Sequence, residues 1–241
     1  ETISNPVLRV ANLAALAELA HACGAALVAD NTLAGPAVCR PLEWGADWVI
    51  ESLTKSMNGH SDVVLGLLCG ASARWERVPA VLSTWGLASA PMDCWLALRG
   101  MGTLAVRVER ACANAQAVAE ALIRSDKVSA VHYPGLAAHP DHALARRQFG
   151  ERFGSMVTFT LGGGLDAARA FITAVEEIPF CPSLGELSTT LSHPESTSHR
   201  GIPAADRAAL QITGGTIRLS VGIESTATVV ERVRGGLGAI P

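Results

Sequence analysis

An α/β fold, with a mainly parallel sheet in a larger first unit and a smaller α/β unit after it, is predicted by three features of the sequence. Short apolar runs at 25–29, 47–51 and 63–69 have the length of buried strands, and helical or turn-rich stretches separate them. Strands that alternate with helices favour parallel pairing through helical crossovers. A long run of helical character, from Pro91 to about Ile123, then divides this pattern from a second set of alternating elements.

Taken in order, 13–23 has apolar residues at helical spacing and Gly24 stops it. The run at 25–29 ends at Asp30, the run at 47–51 leads into Ser52, and 63–69 is the third strand candidate. Gly100 and Gly102 are the main breakers in the 91–123 helix, and Ser125-Asp126-Lys127 ends it. This places a domain boundary between 1–125 and 126–241. In the second part, 128–133, 155–161 and 216–221 read as strands, and 142–149, 167–175 and 224–233 as helices, with Gly162-Gly163-Gly164 as a turn. The apolar stretch 81–95 fits a buried or interfacial segment.

Composition narrows the function. Hydrophobic residues make up 49% and charged residues 17%, with mean hydropathy +0.29, which supports a packed core and argues against disorder. A net charge of −3 without a basic run argues against nucleic acid as a partner. The longest uncharged stretch, 78–92, holds Pro79 and Pro91 and falls short of the roughly 20 residues of a membrane helix, so no membrane partner is expected. The six cysteines form no Cys-x-x-Cys pair and read as buried free thiols of a reducing, cytoplasmic compartment. The sequence opens on Glu-Thr-Ile-Ser-Asn-Pro, without methionine and without the charged start of a signal peptide, and a longer parent protein is expected.

Only Lys55 and Lys127 among the 19 basic residues are lysines, so chemistry that needs a side-chain amine has two candidates. Lys55 sits in Ser52-Leu53-Thr54-Lys55, followed by Gly59-His60-Ser61-Asp62, and Asp30 with Asn31-Thr32 ends the first strand. Ligands of such sheets bind beyond the carboxyl ends of the strands, where both groups fall. Pyridoxal phosphate needs an amine for its aldehyde, a carboxylate for its pyridine nitrogen, and hydroxyl donors for its phosphate. Lys55, Asp30, and the pair Ser52 and Thr54 offer these. Alternation in an extended segment would put Ser52 and Thr54 on one face. Singly, each residue has a plainer reading as a cap, turn or surface residue.

The same blocks resemble the cystathionine-type, fold-type I family of pyridoxal-phosphate enzymes of cysteine and methionine metabolism. Glu1-Thr2-Ile3-Ser4-Asn5-Pro6, Val28-Ala29-Asp30-Asn31-Thr32, the Lys55 and Gly59 blocks, Leu98-Arg99-Gly100 with Thr103-Leu104, Ser183-Leu184-Gly185, His193-Pro194, and 217–224 carry the resemblance, which covers essentially the whole chain. It implies an aspartate-aminotransferase-like large domain. It also implies Lys55 as the cofactor-bearing and proton-shuttling lysine, Asp30 as partner of the pyridine nitrogen, Ser52 and Thr54 on the phosphate, and Asn5 near the ring. Arg218 would clamp a substrate carboxylate with help from Ser183. The implied activity is carbon–sulfur lysis by β- or γ-elimination on a sulfur amino acid. The alternatives are γ-replacement on a homoserine ester, or a non-catalytic truncated homologue. A homo-oligomer built as a dimer of dimers is implied as well.

Several positions depart from the family pattern. Ser56 follows the lysine where relatives often have an aromatic or apolar residue, Trp48 replaces a smaller apolar residue, and Gly102 replaces a lysine. Ser188 stands where many relatives have glutamate, and Pro182 precedes Ser183 where cystathionine γ-synthases and γ-lyases often have glutamate, an absence that counts against cystathionine-specific γ-chemistry. The family stacks a tyrosine from an upstream segment on the cofactor. Tyr133, the one tyrosine here, lies in the second part.

Rival sites are weaker. His139-Pro140-Asp141-His142 has His-x-x-His spacing, but Pro140 makes it a turn, so no metal is expected. The Gly162–Gly164 run lacks the Lys-Ser/Thr of a phosphate loop, and no Gly-x-Ser-x-Gly elbow occurs. His60 is read as ordering the turn after the lysine.

Overall fold

The computed structural model describes residues 1–241 apart from Ser72 and Arg74. In chain order the elements are α1 (Leu13–Ala22), β1 (Val28–Asp30), β2 (Trp48–Ser52), β3 (Gly66–Gly70), α2 (Val78–Thr84), α3 (Pro91–Met101) and α4 (Leu104–Leu122). There follow β4 (Val128–His132), α5 (His142–Phe149), β5 (Met156–Leu161), α6 (Gly164–Ala174), β6 (Thr190–Ser192), α7 (Ala204–Ala209), β7 (Thr216–Ser220) and α8 (Thr226–Gly238).

The α/β class holds, but the sheets are not mainly parallel. One sheet has the order β1-β2-β3, with β1 and β2 parallel and β2 and β3 antiparallel. The other, β4-β5-β7-β6, is antiparallel throughout. Strand periodicity reports burial and not strand direction, so the sequence pattern could not separate the two cases. The predicted 91–123 helix is also two helices. It breaks at Gly102 and Thr103, where Gly102 caps α3 and Thr103 opens α4.

In the second sheet β7 is buried along its whole length, as a strand with neighbours on both sides should be. On one face Phe159 of β5 meets Phe171 of α6 edge-on at 5.4 Å, and α4 and α6 cover this side, with α8 packed against both helices. On the other face lie the paired residues Thr158 and Arg218. The first residues of the chain dock there: Thr158 Oγ1 donates to Pro6 O at 2.6 Å. The core is continuous across position 125, joining Leu8, Val118 and Leu122 to Tyr133, Phe159 and Ile217. Tyr133 is fully buried, and its hydroxyl donates to Gly154 O at 3.1 Å.

Two further expectations change. Of the six cysteines, all free, only Cys39 and Cys112 are buried, while Cys23 is exposed and the others are half-buried. Apolar neighbours in sequence do not ensure burial when an element presents that position outward. The 81–95 stretch is not buried within this chain, with Trp85 76% exposed and Leu87, Met92 and Trp95 exposed beside it, so of its two expected settings only the interfacial one is left.

Candidate active site

Asp30 ends β1, and its carboxylate accepts from Thr32 N at 2.9 Å. Thr32 Oγ1 in turn accepts from Ser52 N at 3.0 Å, so the carboxyl ends of the parallel pair β1 and β2 are tied together. Asp30, Thr32 and Ser52 line a groove of about 720 Å³ whose remaining wall is largely apolar, with Ile50, Leu65 and Leu68 among its residues.

Beyond β2 the chain enters a wide π-type turn over Leu53–Met57, where Asn58 N donates to Leu53 O at 3.2 Å. Lys55 lies in this turn with non-helical angles (φ −94°, ψ −141°). Leu53 and Met57 anchor the turn by packing on Ala97 of α3. The segment is therefore not extended, and Ser52 and Thr54 do not share a face. Ser52 lines the Asp30 groove, while Thr54 lines a neighbouring cavity of about 550 Å³ with Ser183 and Glu186. Thr54 Oγ1 accepts from Leu65 N at 3.0 Å and lies 3.5 Å from Leu65 O.

The lysine points towards the second sheet. Its Nζ donates to Ser183 Oγ at 2.8 Å. Arg218 comes to the same place from β7: its Nη2 donates to Pro182 O at 3.0 Å and to Ser183 O at 3.4 Å, and its Nη1 to Asn5 Oδ1 at 2.8 Å. Its residue is only 2% exposed, and among the described residues no carboxylate pairs with it. Burial lowers its pKa. A buried guanidinium that meets only neutral acceptors retains most of its desolvation cost, and an incoming carboxylate would offset it. The segment that carries Asn5 also reaches Asp30, where Thr2 N donates to Asp30 O at 2.8 Å. Lys55, Ser183, Arg218 and Asn5 thus form one connected cluster. Asp30 joins it through the backbone of that segment and opens onto the adjoining groove.

These groups fit pyridoxal phosphate by the chemistry of the donor set. An amine bound to a neutral hydroxyl, a carboxylate at a strand end, free hydroxyl capacity and an unpaired buried guanidinium are what the cofactor and an amino acid require. A model of the Cys/Met metabolism PLP-dependent enzymes matches residues 1–237.

The chain belongs to this family. L-methionine gamma-lyase of Pseudomonas putida is 39% identical over 241 residues, which are 99% of this chain and 60% of that protein. Cystathionine gamma-lyase from yeast superposes with a TM-score of 0.96 at 37% identity, over 99% of this chain and 63% of the other. Cystathionine gamma synthase from Xanthomonas oryzae pv. oryzae gives 0.94 at 41% identity, over 98% and 61%. The chain spans about 60% of the length of these relatives.

Three residues of this family member's site escaped the sequence reading. Arg107 of α4 is buried against the lysine turn. Glu51, buried on β2, accepts from Asn31 Nδ2 at 2.8 Å. Gly185 follows Ser183 closely, has φ +81°, and passes so near the turn that a Cβ there would lie 2.9 Å from Ser56 Cα and 3.0 Å from Lys55 C. Arg107 and Gly185 stood in or beside matched blocks, which was the available signal; Glu51 had none beyond a charge inside an apolar run. The histidines have local duties. His60 Nδ1 lies 2.6 Å from Asn58 O, and His139 Nδ1 accepts from Asp141 N at 3.1 Å.

Proposed function

We propose that this chain forms the lysine-bearing part of a pyridoxal-phosphate-dependent carbon–sulfur lyase acting by β- or γ-elimination on a sulfur amino acid of the cystathionine or methionine type. The observation that carries this reading is the meeting of the Lys55 amine and the unpaired Arg218 guanidinium at Ser183. An amino acid has a carboxylate and a reacting Cα one bond apart, so a carboxylate anchor beside a proton-moving amine suits it.

When bound, the cofactor supplies an aldehyde for the amine and an electron-withdrawing ring. In this reading Lys55 would hold the cofactor until the substrate amine takes its place, and the freed Lys55 amine would then take the proton from substrate Cα, a role worth typically 10²–10⁴-fold in rate. Asp30 keeps a proton on the pyridine nitrogen. Ser52, from the Asp30 groove, and Thr54, from the neighbouring cavity, would reach the phosphate from different sides and not from one face; the Thr54 bond to Leu65 O is long at 3.5 Å, which leaves that hydroxyl hydrogen available to an anion. Arg218 binds the substrate carboxylate, Ser183 steadies the amine beside it, and Asn5 orients the guanidinium from the other side. Residues 1–125 contribute Lys55 and Asp30, and 126–241 contribute Arg218 and Ser183, so we read the two parts as a functional division over a shared core.

A cytoplasmic homo-oligomer is the assembly we propose. The exposed Trp85, Trp95 and Leu98 support a covering partner, and no described helix is long and apolar enough to cross a membrane.

The full-length protein, loaded with pyridoxal phosphate and treated with borohydride, should retain the cofactor covalently on Lys55 by peptide mass spectrometry. Lys55→Ala should lose both the label and turnover, and a variant that kept both would defeat the assignment. Keto-acid release from cystathionine or methionine without added thiol is expected. Product formation only from a homoserine ester plus thiol would replace the lyase reading with the transferase one.

A further inference from the structure

We propose that Arg107 is a positioning residue that holds the lysine-bearing turn in its working shape, an inference that rests on the reading of Lys55 above. A π-type turn ends abruptly, and the carbonyls of its last residues have no following turn to bond. Arg107 meets them from α4. Its Nη1 donates to Ser56 O at 2.7 Å, and its Nη2 to Met57 O at 3.0 Å and to Gly100 O at 2.9 Å. Its Nε donates to Thr103 Oγ1 at 2.9 Å, which fixes the plane of the fork.

The residue is 7% exposed, and among the described residues no carboxylate pairs with it. Burial lowers its pKa. A buried cation held by carbonyls is a costly way to fill space, since an apolar side chain would do so without the desolvation cost. What the guanidinium adds is geometry, because one rigid plane fastens the two residues after Lys55 to the end of α3. The surroundings are shaped around it. Gly59, at φ +73°, has no room for a Cβ beside the Arg107 guanidinium, whose Cζ would be 2.8 Å away. Gly100 lets α3 approach Asn58, whose Cα would be 3.0 Å from a Cβ at that position. The grip therefore acts on the backbone that aims Lys55 and does not touch the amine itself.

The test uses the full-length protein with pyridoxal phosphate. Arg107→Met and Arg107→Lys are compared with wild type and with Arg110→Met, an exposed arginine on the same helix. The readouts are the rate at which Lys55 acquires borohydride-fixable cofactor, the split between kcat and KM, and recovery of Arg107→Ala by guanidinium ion. Arg107→Met should slow both labelling and kcat by about 100-fold, the scale of a misplacement near 1 Å, with KM little changed. Arg107→Lys should fall between, and it carries the comparison should the methionine variant fail to fold. Guanidinium ion should recover roughly tenfold of the lost rate in Arg107→Ala. Wild-type labelling and kcat in the methionine or lysine variant, or losses that follow melting temperature alone without recovery by guanidinium, would overturn the role of Arg107 and leave Lys55 intact. Failure of wild type to label at Lys55 would instead overturn the reading of Lys55, and this inference with it.

Discussion

Lys55 and Ser183 lie 128 residues apart in the chain, yet the lysine Nζ donates to the serine Oγ at 2.8 Å. The contact joins the turn after β2 to the loop before β6, and so unites the two sheets around one amine. Ser183→Ala removes the acceptor and leaves the amine free to sample other rotamers. A single hydrogen bond of this kind contributes about 1 kcal/mol, so kcat should fall by roughly fivefold to tenfold while cofactor attachment persists. Steady-state kinetics alongside borohydride labelling would measure both.

The loop bearing Ser183 is set by Gly185. Its positive φ and the backbone of Ser56 and Lys55 leave no place for a side chain. Gly185→Ala must move the loop away from the turn, because both obstacles are backbone. The expected result is a folded protein destabilised by about 1–3 kcal/mol, with kcat lowered about 100-fold as the Lys55–Ser183 contact opens. Denaturant titration and turnover together would test this, and wild-type turnover would show that the close approach is dispensable.

Arg218 offers a planar fork that a lysine cannot reproduce. Arg218→Lys keeps the charge but loses paired donation to a carboxylate. With charge-assisted bonds at about 1.5–3 kcal/mol, KM for an amino-acid substrate should rise about 10- to 100-fold. Cofactor labelling at Lys55 should be retained, which separates a substrate-binding defect from loss of the cofactor.

Glu51 gives a pH prediction. Its residue is 7% exposed, and burial lifts its pKa from 4.5 to about 7. The hydrogen bond from Asn31 opposes this rise and the charge of Asp30 adds to it; Cys39 and Cys69 are its other titratable neighbours. Between the unfolded value and about 7 the folded state binds more protons, so this group makes stability fall as pH rises. His139, lowered to about 4 by burial, acts in the opposite sense from pH 6.5 downward. The Glu51 contribution therefore emerges as the difference between wild type and Glu51→Gln. That difference should shift in favour of the glutamine variant by about 3 kcal/mol from pH 4 to pH 8. Urea melts across this range would check it, and parallel curves would refute it.

Much of the candidate site was legible in the sequence because its parts are local. Asp30 and Lys55 stand at the ends of apolar runs that became β1 and β2, and residue chemistry alone singles out an amine and a carboxylate. The same local logic failed at Ser52 and Thr54. Alternation assumes an extended chain, and the π-type turn after Ser52 breaks it.

By itself, the sequence determined the α/β class and most element positions, which follow from residue type and periodicity; residue chemistry offered Lys55, Asp30, Ser52 and Thr54 as candidates, and only the family resemblance pointed to Arg218, Ser183 and Asn5. Tertiary structure decided which distant groups meet. It set β7 between β5 and β6, which turns Arg218 towards Asn5 and Ser183, and it laid α4 against the lysine turn so that Arg107 reaches Ser56 and Met57. Hydrophobic periodicity records which face of an element is buried but carries no record of its partner, so strand order and cross-chain contacts arise only when the whole core packs.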